Sequence, residues 1–231
     1  MAYTTIDDPS VYFQAATWTG SSGTDTITFG GNSDLQLDWL WTKCRSNGHS
    51  HALMDTSRIT NGDYLPLFAD TTDVEQTFYD SELQSITSDG FTVGTQPHAG
   101  GDGKTYVGYG WKANGGTTTT NDASATSVGT IDSVYQTDTT ARFSIVTYTG
   151  NGNDGDTVGH GLSGNWDLCI LKNRGQTDYW TVSRTGTNQV LLLHDTVQEA
   201  NHSTAYMTRA SGVIVLVNAG QFGKLIVLSS Y

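Results

Sequence analysis

Along much of this chain, apolar and polar residues alternate with the two-residue period of a half-buried β-strand. In LDWLWTK (37–43), Leu37, Trp39 and Trp41 share one face and Asp38, Leu40 and Thr42 the other. That spacing predicts a strand placing Trp39 and Trp41 in the core. KTYVGYGWK (104–112) alternates as well. Thr105, Val107, Tyr109 and Trp111 face one way, and Tyr106, Gly108 and Gly110 the other. The second face is thin, so another group can approach it closely. VIVLVNAG (213–220) and KLIVLSSY (224–231) are near-continuous apolar runs, the form of a strand buried on both sides. No window of eleven residues holds a helical period. The nearest, 70–86, is rich in Thr and Tyr and has room for one short helix. Turn-forming clusters recur about every eight to twelve residues. The pattern predicts an all-β fold, an antiparallel β-sandwich of jelly-roll type.

The pattern also repeats. FQAATWTG from Phe13 and FSIVTYTG from Phe143 share Phe, Thr, an aromatic, Thr and Gly at one spacing. Further on, DWLWTKCR (38–45) lies against DLCILKNR (167–174), with Asp, Lys and Arg at identical intervals. Kept in register, HALMDT from His51 lies under WTVSRT from Trp180; a gapped alternative pairs Met54–Thr56 with His194–Thr196. SDGFTVG (88–94) resembles ASGVIVL (210–216), and GKTYVGYGW (103–111) resembles GKLIVLSSY (223–231). Such self-similarity divides the chain into an N-terminal arm (1–12), β-unit A (13–112), a Gly/Thr-rich linker or crossover (113–140) and β-unit B (141–231). The units are either two sandwiches in tandem or two halves sharing one core.

Composition narrows the function. Net charge is −12, with 23 acidic against 11 basic residues. Such a surface repels phosphate backbones and anionic bilayers, so neither nucleic acid nor membrane is an expected partner. The opening MAYTTIDDPSVYFQ has neither the basic nor the apolar region of a secretory signal, and no run of eighteen apolar residues occurs. The two cysteines, Cys44 and Cys169, lie inside apolar runs and read as reduced, buried thiols.

Catalytic chemistry is poorly provided for. A glycosidase needs two carboxylates flanking a cleft. The chain has three Glu residues, Glu75, Glu82 and Glu199, and most of its Asp residues sit in turn-like contexts beside Gly, Asn or Thr. No nucleophile-elbow, phosphate-loop or zinc-protease motif is present. His49 and His51 supply two imidazoles, where zinc takes three or four ligands. NGNDGDT (151–157) is rich in oxygen ligands but lacks the EF-hand spacing. No metal, cofactor or catalytic residue is expected. Of the aromatic residues that could present platforms for sugar rings, Trp166 follows the loop-like GLSGN and is expected to be exposed. The expected binding residues are Trp166, His160, Asn151 and Asp154 in the turns of unit B, with His49 and His51 in unit A. Contact is expected from turns rather than strand faces. The paired Lys43/Arg45 and Lys172/Arg174 are explained as well by solvated strand ends as by a ligand.

The segments FSIVTYTGNGNDGDTVGHGL and DLCILKNR, with GKTYVGYGWKANGG and the opening MAYTTIDDPSVYFQ, resemble virion proteins of tailed bacteriophages of the marine and cyanophage type. These are similar to concanavalin A-like lectin or jelly-roll tail-fibre modules, and the resemblance covers nearly the whole chain. It implies a non-enzymatic structural protein, assembled in the host cytoplasm and displayed on the virion. There it would serve as a fibre or adhesion module binding host surface glycans or another virion protein. The expected partners are other virion proteins and further copies of itself, as a homo-oligomer such as a trimer. A capsid decoration (cement) protein and a polysaccharide depolymerase are the alternatives.

Overall fold

The computed structural model describes residues 6–77, 82–184, 189–196, 200–201, 207–216 and 224–228. The chain divides into two compact units, Met1–Gly116 and Thr117–Tyr231. Alternation became strands and turn clusters became loops, as the two-residue period requires. Among the described residues, helix is confined to a 3-10 turn at Pro9–Val11 and one four-residue α-helix.

Unit 1 contains β1 (Phe13–Thr19), β2 (Asp25–Thr28), β3 (Trp39–Cys44), β4 (Ala52–Asp55), β5 (Ile59–Thr60), β6 (Asp63–Tyr64), β7 (Leu67–Phe68), β8 (Leu83–Thr87), β9 (Gly90–Val93) and β10 (Thr105–Trp111). A five-stranded antiparallel sheet runs in the order β1-β10-β3-β4-β7, and a three-stranded one in the order β2-β9-β8. The core lies between them. Leu40, Ala52, Met54 and Phe68 come from the larger sheet; Ile27, Leu83, Phe91 and Val93 come from the smaller. Fully burying one such side chain is worth about 1.5–3 kcal/mol, which is what holds the two sheets face to face.

Unit 2 contains β11 (Thr119–Asn121), α1 (Ala123–Thr126), β12 (Ser133–Asp138), β13 (Phe143–Tyr148), β14 (Thr157–Gly159), β15 (Leu168–Lys172), β16 (Thr181–Arg184), β17 (Gln189–Leu192), β18 (Ala200–Asn201), β19 (Met207–Ala210), β20 (Val213–Leu216) and β21 (Lys224–Leu228). Its larger sheet runs β11-β12-β13-β21-β15-β16-β17-β18 and its smaller β14-β20-β19. Val146, Tyr148, Cys169 and Leu171 from one sheet meet Val158, Ile214 and Leu216 from the other, with Ile131, Leu162 and Trp166 filling the gap. Each unit is therefore a sandwich with its own core.

The repeat is real in three dimensions. The order β1-β10-β3-β4-β7 recurs as β13-β21-β15-β16-β17, and β2-β9-β8 recurs as β14-β20-β19. Trp39 faces Asp55 and Leu168 faces Arg184, so the ungapped pairing of His51 with Trp180 is the one the fold uses. The last strand is displaced, however. Phe13 pairs Trp111 whereas Phe143 pairs Leu228, so Leu228, not Tyr231, takes the place of Trp111.

The stretch 113–140 does not behave as a linker. Its first part closes unit 1. The buried carboxylate of Asp38 accepts the backbone N–H groups of Ala113, Asn114, Gly115 and Gly116 at 2.6–2.9 Å. The rest adds β11 and β12 to the edge of the larger sheet of unit 2. Hydrogen bonds supply what apolar burial does not: Asp122 caps α1, Asn121 donates to the Val128 carbonyl, and the Ser133 hydroxyl donates to the Gly159 carbonyl. The N-terminal arm likewise folds onto its own unit from residue 8. Asp8 accepts from the Ser10 N–H and the Ser33 hydroxyl, and Gln14 donates to the carbonyls of Ser10 and Ser33. Residues 1–5 lie outside the described residues, as do Tyr79 and its neighbours in the stretch where one short helix had room.

Candidate functional site

The side of the larger sheet of unit 1 that faces away from its core carries aromatic residues. Strand register puts Phe13, Trp111 and Trp39 in one row and Ala15, Tyr109 and Trp41 in the next. Ring centroids stand 4.8 Å apart for Phe13–Trp111, 4.5 Å for Trp39–Trp111 and 5.9 Å for Trp39–Trp41, within the range of favourable aromatic pairing. Trp39 is buried, Trp41 and Trp111 are half-buried, and Phe13 and Tyr109 are 40% and 38% exposed. Trp39 is thus buried as expected, although outside the cluster between the two sheets, whereas Trp41 is only half-buried and does not belong to the core. Leu37 precedes β3, and it is Leu37 and Leu40 that enter the core. The thin face of β10 is filled from within: a Cβ on Gly110 would lie 2.7 Å from Phe29, and one on Gly108 3.0 Å from Trp18.

At the end of β3 this aromatic face meets polar groups. The Trp41 indole donates to His51 Nδ1 at 3.0 Å, which leaves the imidazole proton on Nε2. Burial pushes the His51 pKa down, and the nearby Lys43 charge adds to this against the opposing pull of Asp70. His51 is therefore neutral around pH 7. Its backbone N–H donates to Asp70 at 3.0 Å, and Lys43 donates to the His49 carbonyl. Tyr109 and Trp41 thus sit opposite each other across β10 and β3, Lys43 follows on the same face of β3, and the His51 ring stands edge-on to Trp41 with centroids 5.9 Å apart. Flat apolar rings beside fixed hydrogen-bond donors suit a ligand with a C–H face and hydroxyl edges.

The expected binding residues divide sharply. His49 and His51 are half-buried in the connection before β4, and Asn151 and Asp154 are exposed in a turn where the Asn151 side chain accepts the Asn153 N–H. Trp166 is not exposed: at 3% exposure it is part of the core of unit 2. It occupies the position of Leu37 in the repeat, one residue before the Asp that precedes the strand, and that position points inward in both units. His160 is also removed from any contact. It is fully buried, its Nδ1 accepts the Leu162 N–H, and burial pushes its pKa down to about 4. Lys172 is buried too and donates to the Asp178 carbonyl rather than standing as a solvated strand end. Both cysteines are free and buried, as their apolar runs predicted. Among the described residues no group of three or more His, Cys, Asp or Glu side chains is placed to hold a metal ion.

Two of the three glutamates are committed to internal partners. Glu75 pairs with Arg58, a buried guanidinium that also binds Asp55 and the carbonyls of Leu53 and Leu65. Glu82 is fully buried against His98, with Oε1 2.5 Å from Nδ1. Glu199 lies outside the described residues.

Residues 8–225 match the family described as Domain of unknown function (DUF7483), and the chain belongs to that family. No curated protein and no solved structure matches it.

Proposed function

We propose that this member of the DUF7483 family is a non-enzymatic structural protein of a tailed-phage particle. It is displayed on the virion surface as an adhesion module that holds host surface glycans, and it is assembled in the host cytoplasm with other virion proteins and further copies of itself. In this reading each sandwich is a jelly roll of the concanavalin A-like kind.

The observation that carries the proposal is the exposed Tyr109 beside Trp41 and the neutral His51. An aromatic ring stacks on the apolar face of a pyranose, while the imidazole N–H and the Lys43 ammonium donate to its hydroxyls. One such contact is weak; many copies on a particle make it strong. The internal commitments of Glu75 and Glu82 favour adhesion over depolymerisation, because a catalytic carboxylate must reach the scissile bond. The resemblance to tail-fibre modules supports the phage setting.

The test is binding of the purified protein to a bacterial surface glycan array. Tyr109→Ala and His51→Ala are each expected to weaken the bound signal at least about tenfold, the size of one lost stacking or hydrogen-bonding contact. Tyr109 is exposed, so its removal should leave the melting temperature nearly unchanged. Full retention of glycan binding by both variants would overturn the assignment of this patch.

A further inference from the structure

The two units differ at one edge of their larger sheets. In unit 2, the side of β13 away from β21 is covered by β12, in antiparallel register from Ser133–Tyr148 to Asp138–Phe143, and β12 is covered in turn by β11. In unit 1, β1 is the counterpart of β13 and pairs with β10 alone. The chain that leads into β1 forms the 3-10 turn Pro9–Val11 instead of a covering strand.

The ladder identifies the groups left bare. The Lys112 N–H donates to the Tyr12 carbonyl and the Gly20 N–H to the Lys104 carbonyl, so the even-numbered residues between them bond to β10. The N–H and C=O groups of Phe13, Ala15, Thr17 and Thr19 point the other way, and these four are the exposed residues of the strand. An open edge is a template for another strand, and proteins blunt it with charge, proline, bulges or brevity. β1 has none of these: FQAATWT runs seven residues without a charge or a proline and holds its register to β10 without a shift. Among the described residues the other edge strands are shorter. β5, β6, β7 and β18 have two residues, β11 and β14 three, β2 and β19 four, and β8, with five, is irregular between Leu83 and Ser85.

The edge is also self-complementary. Two copies of β1 laid antiparallel about Ala16 place Phe13 opposite the partner's Thr19 and Ala15 opposite the partner's Thr17. All four are outward residues, so each bare N–H meets a bare carbonyl. No like charges face each other across the pair, although each chain carries −12 overall.

We infer that the β1 edge is a docking site for the β1 edge of a second copy of this chain, joining two five-stranded sheets into one continuous sheet about a twofold axis. The inference rests on the self-association in the reading above and is independent of glycan binding. Pairing along one strand is a small contact beside the about 1,200–2,000 Å² of a standard interface, so the dimer forms as concentration rises. A particle that holds many copies supplies that concentration.

The experiment is sedimentation equilibrium of the full chain over a concentration series, with amide hydrogen exchange at both ends of the series. The mass is expected to rise from that of one chain, 24.8 kDa, toward twice that value, while the amides of Phe13, Ala15, Thr17 and Thr19 become protected. Thr17→Pro removes an outward N–H and no bond to β10, and is expected to stay monomeric with a nearly unchanged melting temperature. Thr17→Val, which keeps the N–H, should dimerise as the parent does. Tyr109→Ala should dimerise too and lose only glycan binding, which separates this inference from the aromatic site. A mass that stays at 24.8 kDa at every concentration overturns the inference and leaves the edge to a strand of a different protein. A dimer that Thr17→Pro leaves intact, or that forms without protecting the four amides, lies on another surface and overturns it as well. A trimer does the same, because two β1 edges close on each other. Exchange in the parent alone decides the matter if Thr17→Pro fails to fold.

Discussion

At the scale of single residues, Asp38 shows how much structure one side chain can organise. Its carboxylate is buried and accepts four consecutive backbone N–H groups, 113–116, and the Thr56 hydroxyl at 2.9 Å. The loop KANGG closes around it. Asp38→Ala orphans these donors together, and at about 1–3 kcal/mol per unsatisfied buried group, partly recovered by water, the expected cost is about 3–5 kcal/mol. Chemical denaturation measures it; a loss below about 1 kcal/mol would show that the loop finds other partners. His160 makes a prediction about pH. Its ordinary pKa of 6.5 falls to about 4 in the fold because burial disfavours the charged ring. Between those values the unfolded chain binds more protons than the native one, so stability falls as pH is lowered from about 6.5 to 4 and this contribution is flat below that. The drop is about 3 kcal/mol. His160→Gln should shrink the acid limb of a stability–pH curve measured by urea denaturation, and an unchanged limb would contradict the assignment.

At the scale of elements, period-2 alternation identified β3 and β10 correctly, because burial of alternate side chains is what makes a strand visible in sequence. It could not say which face was inward. Asp38 turns the chain just before β3, so Leu37 enters the core while Trp39 and Trp41 lie on the far side. The stretch 113–140 escaped notice for a related reason. Its strands are held largely by hydroxyl and amide hydrogen bonds, and only Ile131 and Tyr135 from β12 and its approach pack on the core of unit 2. A Gly/Thr/Ser/Asn composition looks the same whether its polar groups meet water or one another. The glycines of β10 test how tightly the sheets approach. Gly110→Ala would drive a methyl to 2.7 Å from the Phe29 ring and 3.2 Å from Leu37. Overpacking of this kind costs about 1–3 kcal/mol. Gly48, with nothing within 4 Å of the added Cβ, is the control and should change stability by less than about 0.5 kcal/mol on the same substitution.

At the scale of the whole chain, the duplication explains both what the sequence showed and what it concealed. The Asp-x4-Lys-x-Arg spacing, at Asp38–Arg45 and Asp167–Arg174, marked equivalent strands because in each unit the chain bends at the Asp and the strand begins at the next residue. Trp166 was misplaced because its neighbours Gly164 and Asn165 are loop-like, although its partner in the repeat, Leu37, is an ordinary core residue. Each unit pairs a larger sheet with a three-stranded one around its own apolar cluster. Damage to one cluster therefore acts first on the strands that line it. Trp166→Ala removes a large buried side chain and is expected to cost about 3–5 kcal/mol. Hydrogen exchange read by mass spectrometry should show faster exchange in β13, β15 and β20, which border that cluster, with β3, β9 and β10 protected as before. Equal loss of protection in both sets of strands would mean that the two cores unfold as one, and that the repeat, though visible in the strand order, does not divide the stability of the chain.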